Sequence, residues 1–265
     1  MKTYMNTIKS EVITIIPEIA KLWLTIYNKK NRRIYPARIR KYVRDIEAGL
    51  WKLNGESIKI SDQNILLDGQ HRLMAVAQCG KQIETVVITN IPGEHGVFET
   101  IDAGAPRSAA DAMRLDGLQY AALVPAIVRA VADYDSGTSW DRTMSHVEVK
   151  SIIDKDYSSF ANAAKAGDEM KHIVTPSSWG AFYYMAEKQW PESILAFHDK
   201  IKNMTNISEG SPIIALNKAF AQLPRKSRTD KISIIERCII AFNGYLQGQK
   251  MKQIRLGKKR AEILK

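Results

Sequence analysis

In the first part of the chain, short continuous apolar runs alternate with segments whose apolar residues recur at the period of a helix. Brief β-branched runs between turn residues are typical of strands, whereas apolar residues that recur every three or four positions are typical of a helix face. Strands are predicted at residues 11–16, 57–60, 65–67 and 84–89, and helices at 17–27, 36–49 and 70–79. This part of the chain therefore predicts a small mixed α/β domain.

The later part of the chain is predicted to be helical. Further helices are expected at residues 145–155, 157–171, 178–189, 192–204, 212–222 and 229–247. Trp179, Phe182, Tyr183 and Trp190 have helical spacing and are expected in the core rather than on a base-stacking surface. The predicted fold class is α+β: a mixed α/β domain over residues 1–116, an all-α domain over 117–249 and a basic tail over 250–265.

The segment from Asp68 to Arg72 joins a predicted strand to a predicted helix. Gly69 permits a tight turn, and the helix that begins at Gln70 directs N–H groups and partial positive charge towards that turn. Helix N-termini of this kind bind phosphate, and an arginine in the first turn can donate to two phosphate oxygens at once. Gly69, Gln70 and Arg72 are therefore predicted to bind phosphate, and a purely structural turn is the alternative.

Three side chains near this turn could carry acid–base chemistry. Asp68 and His71 lie in the turn, and Glu56 enters the predicted sheet nearby. These groups could activate water or a hydroxyl, or protonate a leaving group, so all three are candidate catalytic residues. The alternatives are Asp68 as a helix cap, His71 as a structural residue, and Glu56 as a surface carboxylate paired with Lys59 or a cation of the turn.

The sequence Asp68-Gly69-Gln70-His71-Arg72 resembles the phosphate-binding motif of the ParB/sulfiredoxin-like superfamily, which includes ParB partition proteins, sulfiredoxin and a free serine kinase. The flanking sequences, such as Asn54-Gly55-Glu56, are similar to those of ParB-like proteins found in phages and prophages, and the resemblance covers residues 10–115 best. It implies a small α/β fold whose motif binds a nucleoside triphosphate. Such a ligand usually brings Mg²⁺, held by one or two carboxylates and phosphate oxygens.

The resemblance also implies that a later loop closes over the motif. Asp102, Arg107 and Ser108 are therefore further candidates for nucleotide binding. A structural Asp–Arg pair within the loop is the alternative for Asp102 and Arg107. Ser108 can also cap the following helix, with Asp111 completing a capping box. Two features depart from the family: Gln70 stands where sulfiredoxin has its reactive cysteine, and the Glu-Arg-Arg version of the motif, typical of CTP-using partition proteins, is absent.

The chain is strongly basic, with 39 Lys and Arg against 28 Asp and Glu and a formal net charge of +11. This excess favours a polyanionic partner, although an incidentally basic surface is the alternative. Cations cluster around the helix predicted to begin at Pro36 and again in the tail, which is expected to be loose. The residues predicted to contact DNA phosphates are Arg32, Arg33, Arg38, Lys41, Arg44, Lys258, Lys259 and Arg260.

Several other classes of protein are disfavoured by the sequence. No apolar run approaches the ~20 residues of a membrane span, and no secretory signal pattern is present, so a cytoplasmic protein without a membrane partner is expected. Cys79 and Cys238 are expected to be free thiols. The sequence has no Gly-Lys-Ser/Thr phosphate loop and no clustered Cys or His motif, so no dedicated metal site is predicted.

Two classes of function remain open at this point. The favoured one is an NTP-dependent hydrolase or phosphotransferase acting on DNA or a nucleotide, because a pure DNA reader needs neither Asp68 nor His71. The other is a non-catalytic DNA-binding or regulatory protein of phage or prophage origin. An accessory of DNA modification is a third idea, and a homodimer through the helical domain is left open.

Overall fold

The computed structural model describes residues 8–29, 31, 33–93, 108–136, 144–223 and 231–265. The chain forms two compact units, one made of Met1–Pro106 with Thr143–Glu148 and the other of Arg107–Arg142 with Val149–Lys265. The first unit therefore ends before residue 116, the boundary expected from the sequence, and it includes a short later segment. The tail falls within the second unit.

The first unit contains a mixed four-stranded sheet and three helices within its described ranges. These elements are β1 (Lys9–Ile15), α1 (Pro17–Tyr27), α2 (Pro36–Glu47), β2 (Ser57–Ser61), β3 (Leu66–Asp68), α3 (Gln70–Cys79) and β4 (Ile83–Ile91). The strand order is β1-β4-β2-β3. Strand β4 pairs antiparallel with β1 and parallel with β2, and β2 pairs antiparallel with β3. The predicted mixed α/β arrangement is confirmed.

The core of this unit holds the strand–turn–helix segment in place. Ile58 of β2, Leu66 of β3, and Leu73 and Val76 of α3 are fully buried. Helix α3 also packs against α1 and α2. Each buried aliphatic side chain contributes about 1.5–3 kcal/mol to the free energy of unfolding, so the turn between β3 and α3 is fixed by the apolar residues on both sides of it.

The regular elements in the described part of the second unit are all helices. Its helices are α4 (Ala109–Leu115), α5 (Leu123–Asp135), α6 (His146–Glu169), α7 (Pro176–Glu187), α8 (Pro191–Asn203), α9 (Pro212–Ala221) and α10 (Lys231–Leu246). The two helices expected at 145–155 and 157–171 are confirmed: α6 consists of two helical segments that meet at Asp156, whose backbone is non-helical (φ −154°, ψ 43°). The first residues of α6, His146–Glu148, belong to the first unit. Within the described ranges, no helix is both long enough and apolar enough to cross a membrane.

Aromatic side chains fill the core of the second unit. Trp179, Phe182 and Tyr183 are buried. The Trp179 ring lies 5.3 Å from the ring of Phe182 and 6.4 Å from that of Phe197, between centroids. Trp190 is only half-buried, and its Nε1 donates to the carbonyl of Leu264 at 2.7 Å. The expectation that this set belongs to the core is therefore confirmed for the first three residues.

The basic tail is not loose, contrary to the expectation from sequence. The Tyr134 hydroxyl donates to the carbonyl of Ala261 at 2.5 Å, and the Asn243 amide donates to the carbonyl of Glu262 at 2.8 Å. Ile263 is buried against this unit. One buried apolar side chain and several hydrogen bonds to backbone carbonyls hold the tail in place. The charge pattern of the tail does not predict these contacts.

Arg260 is part of this attachment. Its Nη1 donates to the carbonyls of Asp133, at 3.1 Å, and Tyr134, and its guanidinium lies 5.4 Å from the centroid of the Tyr134 ring. The side chain predicted to contact DNA therefore anchors the tail. Lys258 and Lys259 remain exposed.

A largely buried polar cluster joins helix α2 to residues 145–148 of the same unit. Arg44 Nε lies 2.9 Å from Glu148 Oε1, so this predicted DNA contact is instead paired with a carboxylate. The Ser145 hydroxyl donates to Asp45 Oδ1 at 2.6 Å. Burial raises the pKa of Asp45, with a contribution from Glu148, although the Ser145 hydrogen bond, Lys41 and Arg44 oppose the shift.

We expect Asp45→Asn to raise the melting temperature at neutral pH. Because the pKa of Asp45 is raised on folding, its stabilising contribution is present below the pKa of the unfolded chain and is lost as the pH rises through the folded-state value. The asparagine keeps an oxygen acceptor for Ser145 without a buried charge. Thermal unfolding against pH should be flatter for this variant than for wild type or for Asp199→Asn, an exposed control. A lower melting temperature for Asp45→Asn would instead show that Lys41 and Arg44 make the carboxylate stabilising.

Candidate active site

The predicted turn is present, with β3 ending at Asp68 and α3 beginning at Gln70. The first hydrogen bond within the helix runs from Leu73 N–H to Gly69 C=O at 3.0 Å. The N–H groups of Gln70, His71 and Arg72 precede it, so they belong to the helix end that carries partial positive charge. The sequence motif is therefore located at the N-terminus of a three-turn helix.

Gly69 is required by the backbone of this turn. Its φ of +103° lies in the left-handed region, and a Cβ placed there would come within 2.9 Å of Ile58 Cγ1 and 3.3 Å of Ile58 Cα. A small residue before a helix N-terminus is often explained by a ligand that approaches the backbone. The structure gives a different reason, since strand β2 occupies the space that a side chain would need.

Arg72 is the buried cation of the motif. Its Nη2 donates to Asp68 Oδ2 at 2.7 Å and to the carbonyl of Ser57 at 2.9 Å. The Arg72 side chain is only 7% exposed, and Nη1 has no hydrogen-bond partner among the described residues. Glu56 Oε2 lies 3.8 Å from Nη1, beyond hydrogen-bonding distance. A buried cationic N–H without a hydrogen-bond acceptor is costly, and the Glu56 carboxylate, at ion-pair distance, offsets part of that cost.

Asp68 holds Arg72 rather than serving as a free base. Its Oδ2 accepts from Arg72 and lies 3.5 Å from Lys59 Nζ, and its Oδ1 accepts from Gly69 N–H at 2.7 Å. It is buried, and it is not a side-chain cap for α3. With both oxygens engaged, Asp68 fits the role of a positioning residue for the cation.

His71 is likewise committed to the structure. Its Nε2 accepts a hydrogen bond from the Tyr35 backbone N–H at 3.0 Å, and the two rings are stacked with centroids 6.0 Å apart. An acceptor nitrogen must be unprotonated, so this bond fixes the neutral tautomer that carries its proton on Nδ1. His71 thereby ties the start of α2 to the motif.

An open cleft lies beside the motif. It holds about 320 Å³ of empty space, counted with its mouth. Its walls are formed by Arg38, Tyr42, Glu56, Asp68, Gly69, His71 and Arg72. Gln70 is buried but does not line the cleft. Because that figure includes open solvent, the enclosed part is smaller than ordinary ligand pockets, so it suits a phosphate group better than a whole buried nucleotide.

Arg38 and Tyr42 are the lining residues that sequence reasoning did not assign to this site. Arg38 was assigned to DNA contact, and Tyr42 was not singled out. They are four residues apart on α2, so they share one helix face. That spacing was a visible signal, but nothing in the sequence indicates that this face is directed towards the motif. Arg38 adds a second, exposed cation to the cleft.

The remaining predicted site residues lie elsewhere or are not described. Ser108 is in the second unit, where it caps α4: its Oγ accepts from Asp111 N–H at 3.2 Å, and its own N–H donates to Asp111 Oδ2 at 2.8 Å. The predicted capping box is confirmed, and hydrogen bonds from Ser108 lower the pKa of Asp111. Asp102, Arg107 and Arg32 lie outside the described residues.

The described residues fit a phosphate better than a metal ion. No three His, Cys, Asp or Glu side chains of the described ranges form a group that could hold a metal. Mg²⁺ usually binds one or two carboxylates together with substrate phosphates, but both oxygens of Asp68 are already engaged. Glu56, whose side chain is 65% exposed, is the remaining carboxylate among the residues that line the cleft.

Comparisons of the chain with protein-family models, with curated proteins and with solved structures found no match. The geometry of the cleft is therefore the basis for any assignment of function.

We expect Gly69→Ala to destabilise the protein more than Gly80→Ala. The two glycines flank α3 and both have positive φ, which costs an alanine about 1–2 kcal/mol. Only Gly69 has a neighbour within 4 Å of the added Cβ, because the space around Gly80 is open. Urea unfolding of both variants isolates the Ile58 contact as the difference between them. Equal losses in the free energy of unfolding would mean that Ile58 and strand β2 shift to make room for the added Cβ at no energetic cost.

Proposed function

We propose that this protein binds the phosphate group of a nucleotide in the cleft between α2 and the turn that precedes α3, as a ParB/sulfiredoxin-like protein would. The observation that carries the proposal is Arg72 Nη1, a buried cationic donor without a hydrogen-bond partner in the described part of the chain, in a side chain that lines the cleft. A phosphate oxygen would supply the missing acceptor.

Three further features support phosphate as the ligand. The N-terminus of α3 contributes partial positive charge, and Arg38 contributes a second guanidinium. The position of Arg72 is fixed before any ligand arrives, because Asp68 and the Ser57 carbonyl hold its other nitrogen. Such preorganisation lowers the entropic cost of binding.

A catalytic function, as an NTP hydrolase or phosphotransferase, is the second candidate, and the exposure of Glu56 favours it. Glu56 lines the cleft with a carboxylate that makes no hydrogen bond among the described residues. It could therefore orient or deprotonate a water or hydroxyl. Asp68 and His71, the candidates from sequence, would act by holding Arg72 and α2 in position.

DNA is proposed as a further partner through α2. Arg33, Arg38 and Arg40 are exposed and Lys41 is half-buried. These cations could contact a DNA backbone beside the cleft, whereas Arg44 is already paired with Glu148. The exposed Lys258 and Lys259 of the tail are a separate cationic surface on the second unit.

Nucleotide binding is tested by Arg72→Lys. Lysine keeps a positive charge beside Asp68 but lacks the forked donors, so we expect affinity to fall at least about tenfold, or 1.4 kcal/mol. A panel of nucleoside triphosphates is screened by thermal unfolding. A nucleotide that binds should, at a hundredfold excess over its dissociation constant, stabilise wild type by about 2.7 kcal/mol, or several degrees in melting temperature.

Two variants complete this experiment. Arg38→Gln removes an exposed cation of the cleft without touching the buried ion pair and should also weaken binding. Lys52→Gln removes an exposed cation outside the cleft and should bind as wild type does. Wild-type affinity in Arg72→Lys and Arg38→Gln would refute the phosphate site.

The hydrolase function is tested by comparing Glu56→Gln with Glu84→Gln. Glu84 is an exposed carboxylate on β4 that does not line the cleft. Loss of a general base typically costs 10²–10⁴-fold in rate, so turnover of nucleoside triphosphate should fall about a hundredfold or more in Glu56→Gln alone. Nucleotide hydrolysis at the wild-type rate in Glu56→Gln would leave binding as the function of the site.

A further inference from the structure

The backbone of Glu56 is held firmly at the edge of the cleft. Gly55, with φ of +83°, forms the turn before it. The Glu56 N–H donates to Asn54 Oδ1 at 3.1 Å, and the Glu56 carbonyl accepts from Thr85 Oγ1 at 3.1 Å. The side chain, by contrast, is 65% exposed and makes no hydrogen bond within the described residues. With a fixed backbone and no hydrogen bond on its side chain, Glu56 can bring its carboxylate to Arg72 or withdraw it by a change of rotamer.

The carboxylate lies where a ligand must bind. Glu56 Oε2 is 3.8 Å from Arg72 Nη1, and that nitrogen is the unpaired donor of the site. A phosphate oxygen bound to a guanidinium lies about 2.7–2.9 Å from the nitrogen. Arg72 cannot offer Nη2 instead, because Asp68 and the Ser57 carbonyl already accept from it. The carboxylate and an incoming phosphate therefore compete for the space and the positive charge beside one nitrogen, Arg72 Nη1, in a small cleft.

We propose that Glu56 is an internal competitor of the ligand, an autoinhibitory carboxylate that must leave Arg72 Nη1 before phosphate can bind there. This inference rests on the proposed phosphate site and adds its regulation. Because the Glu56 carboxylate is tethered to the chain, its effective concentration beside Arg72 is high. Only an anion that binds Arg72 more strongly than this carboxylate does can displace it. When the Glu56 side chain leaves Arg72, its carboxylate comes to lie beside the bound phosphate.

The test uses inorganic pyrophosphate as the probe and the full chain throughout. Titration calorimetry compares wild type with Glu56→Gln, Glu56→Asp and the control Glu84→Gln. We expect Glu56→Gln to bind pyrophosphate about tenfold more tightly than wild type, since charges about 4 Å apart near a surface interact strongly but are partly screened by solvent. Glu84→Gln changes the net charge equally and should bind as wild type does.

Glu56→Asp separates contact from charge. Aspartate keeps the negative charge at the same backbone position but is one methylene shorter, so it should not reach Arg72 Nη1. We expect this variant to show most of the gain seen with Glu56→Gln. A gain in Glu56→Gln without any gain in Glu56→Asp would overturn competition at Arg72 Nη1, because general repulsion would then account for the effect.

The remaining outcomes are distinct. Affinities for Glu56→Gln within twofold of wild type, with binding still lost in Arg72→Lys, would refute the internal competitor and leave the phosphate site intact. No pyrophosphate binding by wild type or by Glu56→Gln would overturn both.

Discussion

The ion pair between Arg72 and Asp68 is the interaction on which the candidate site depends. Both side chains are buried, and Oδ2 and Nη2 lie 2.7 Å apart. Removing one member of such a pair leaves an uncompensated buried charge and typically costs 3–5 kcal/mol. The pair also orients the guanidinium so that one nitrogen is satisfied and the other lacks an acceptor. Stability and binding capacity therefore come from the same two residues.

The rest of the site is arranged around that pair in two layers. Strand β2 contributes the Ser57 carbonyl, and Ile58 of the same strand excludes any side chain at position 69. Helix α2 contributes Arg38 and Tyr42 from the other wall. The apolar residues beneath, such as Leu66 and Leu73, contribute no chemistry but fix the distance between strand and helix. A site of this kind needs few polar residues, because the backbone supplies the turn and the helix dipole.

The sequence predicted elements better than it predicted partners. The strand before Asp68 and the helix after Gln70 followed from apolar periodicity, and the Ser108 cap followed from spacing, because both signals are local. The backbone break at Asp156 is also local, and the pattern correctly predicted a boundary between two helices there. Tertiary contacts could not be predicted from the sequence, because they join residues that are far apart along the chain. Nothing in the cationic run of α2 distinguishes Arg38, which lines the cleft, from Arg44, which pairs with Glu148. Nothing in the basic tail marks Arg260 as the residue that donates to backbone carbonyls. The resemblance to the ParB/sulfiredoxin-like superfamily remains a prediction.

The hydrogen bond from Tyr35 N–H to His71 Nε2 has a consequence for how such sequences can diverge. Tyr35 immediately precedes α2, and Arg38 follows it within one helical turn. The His71 imidazole thus helps to set the point at which α2 starts, and through α2 it sets the direction of Arg38. Arg38 lies 33 positions before His71 in the chain. Among relatives that share this fold, the histidine and the arginine should be inherited or replaced as a pair, and the loop before α2 should tolerate changes of length only on the side away from Tyr35.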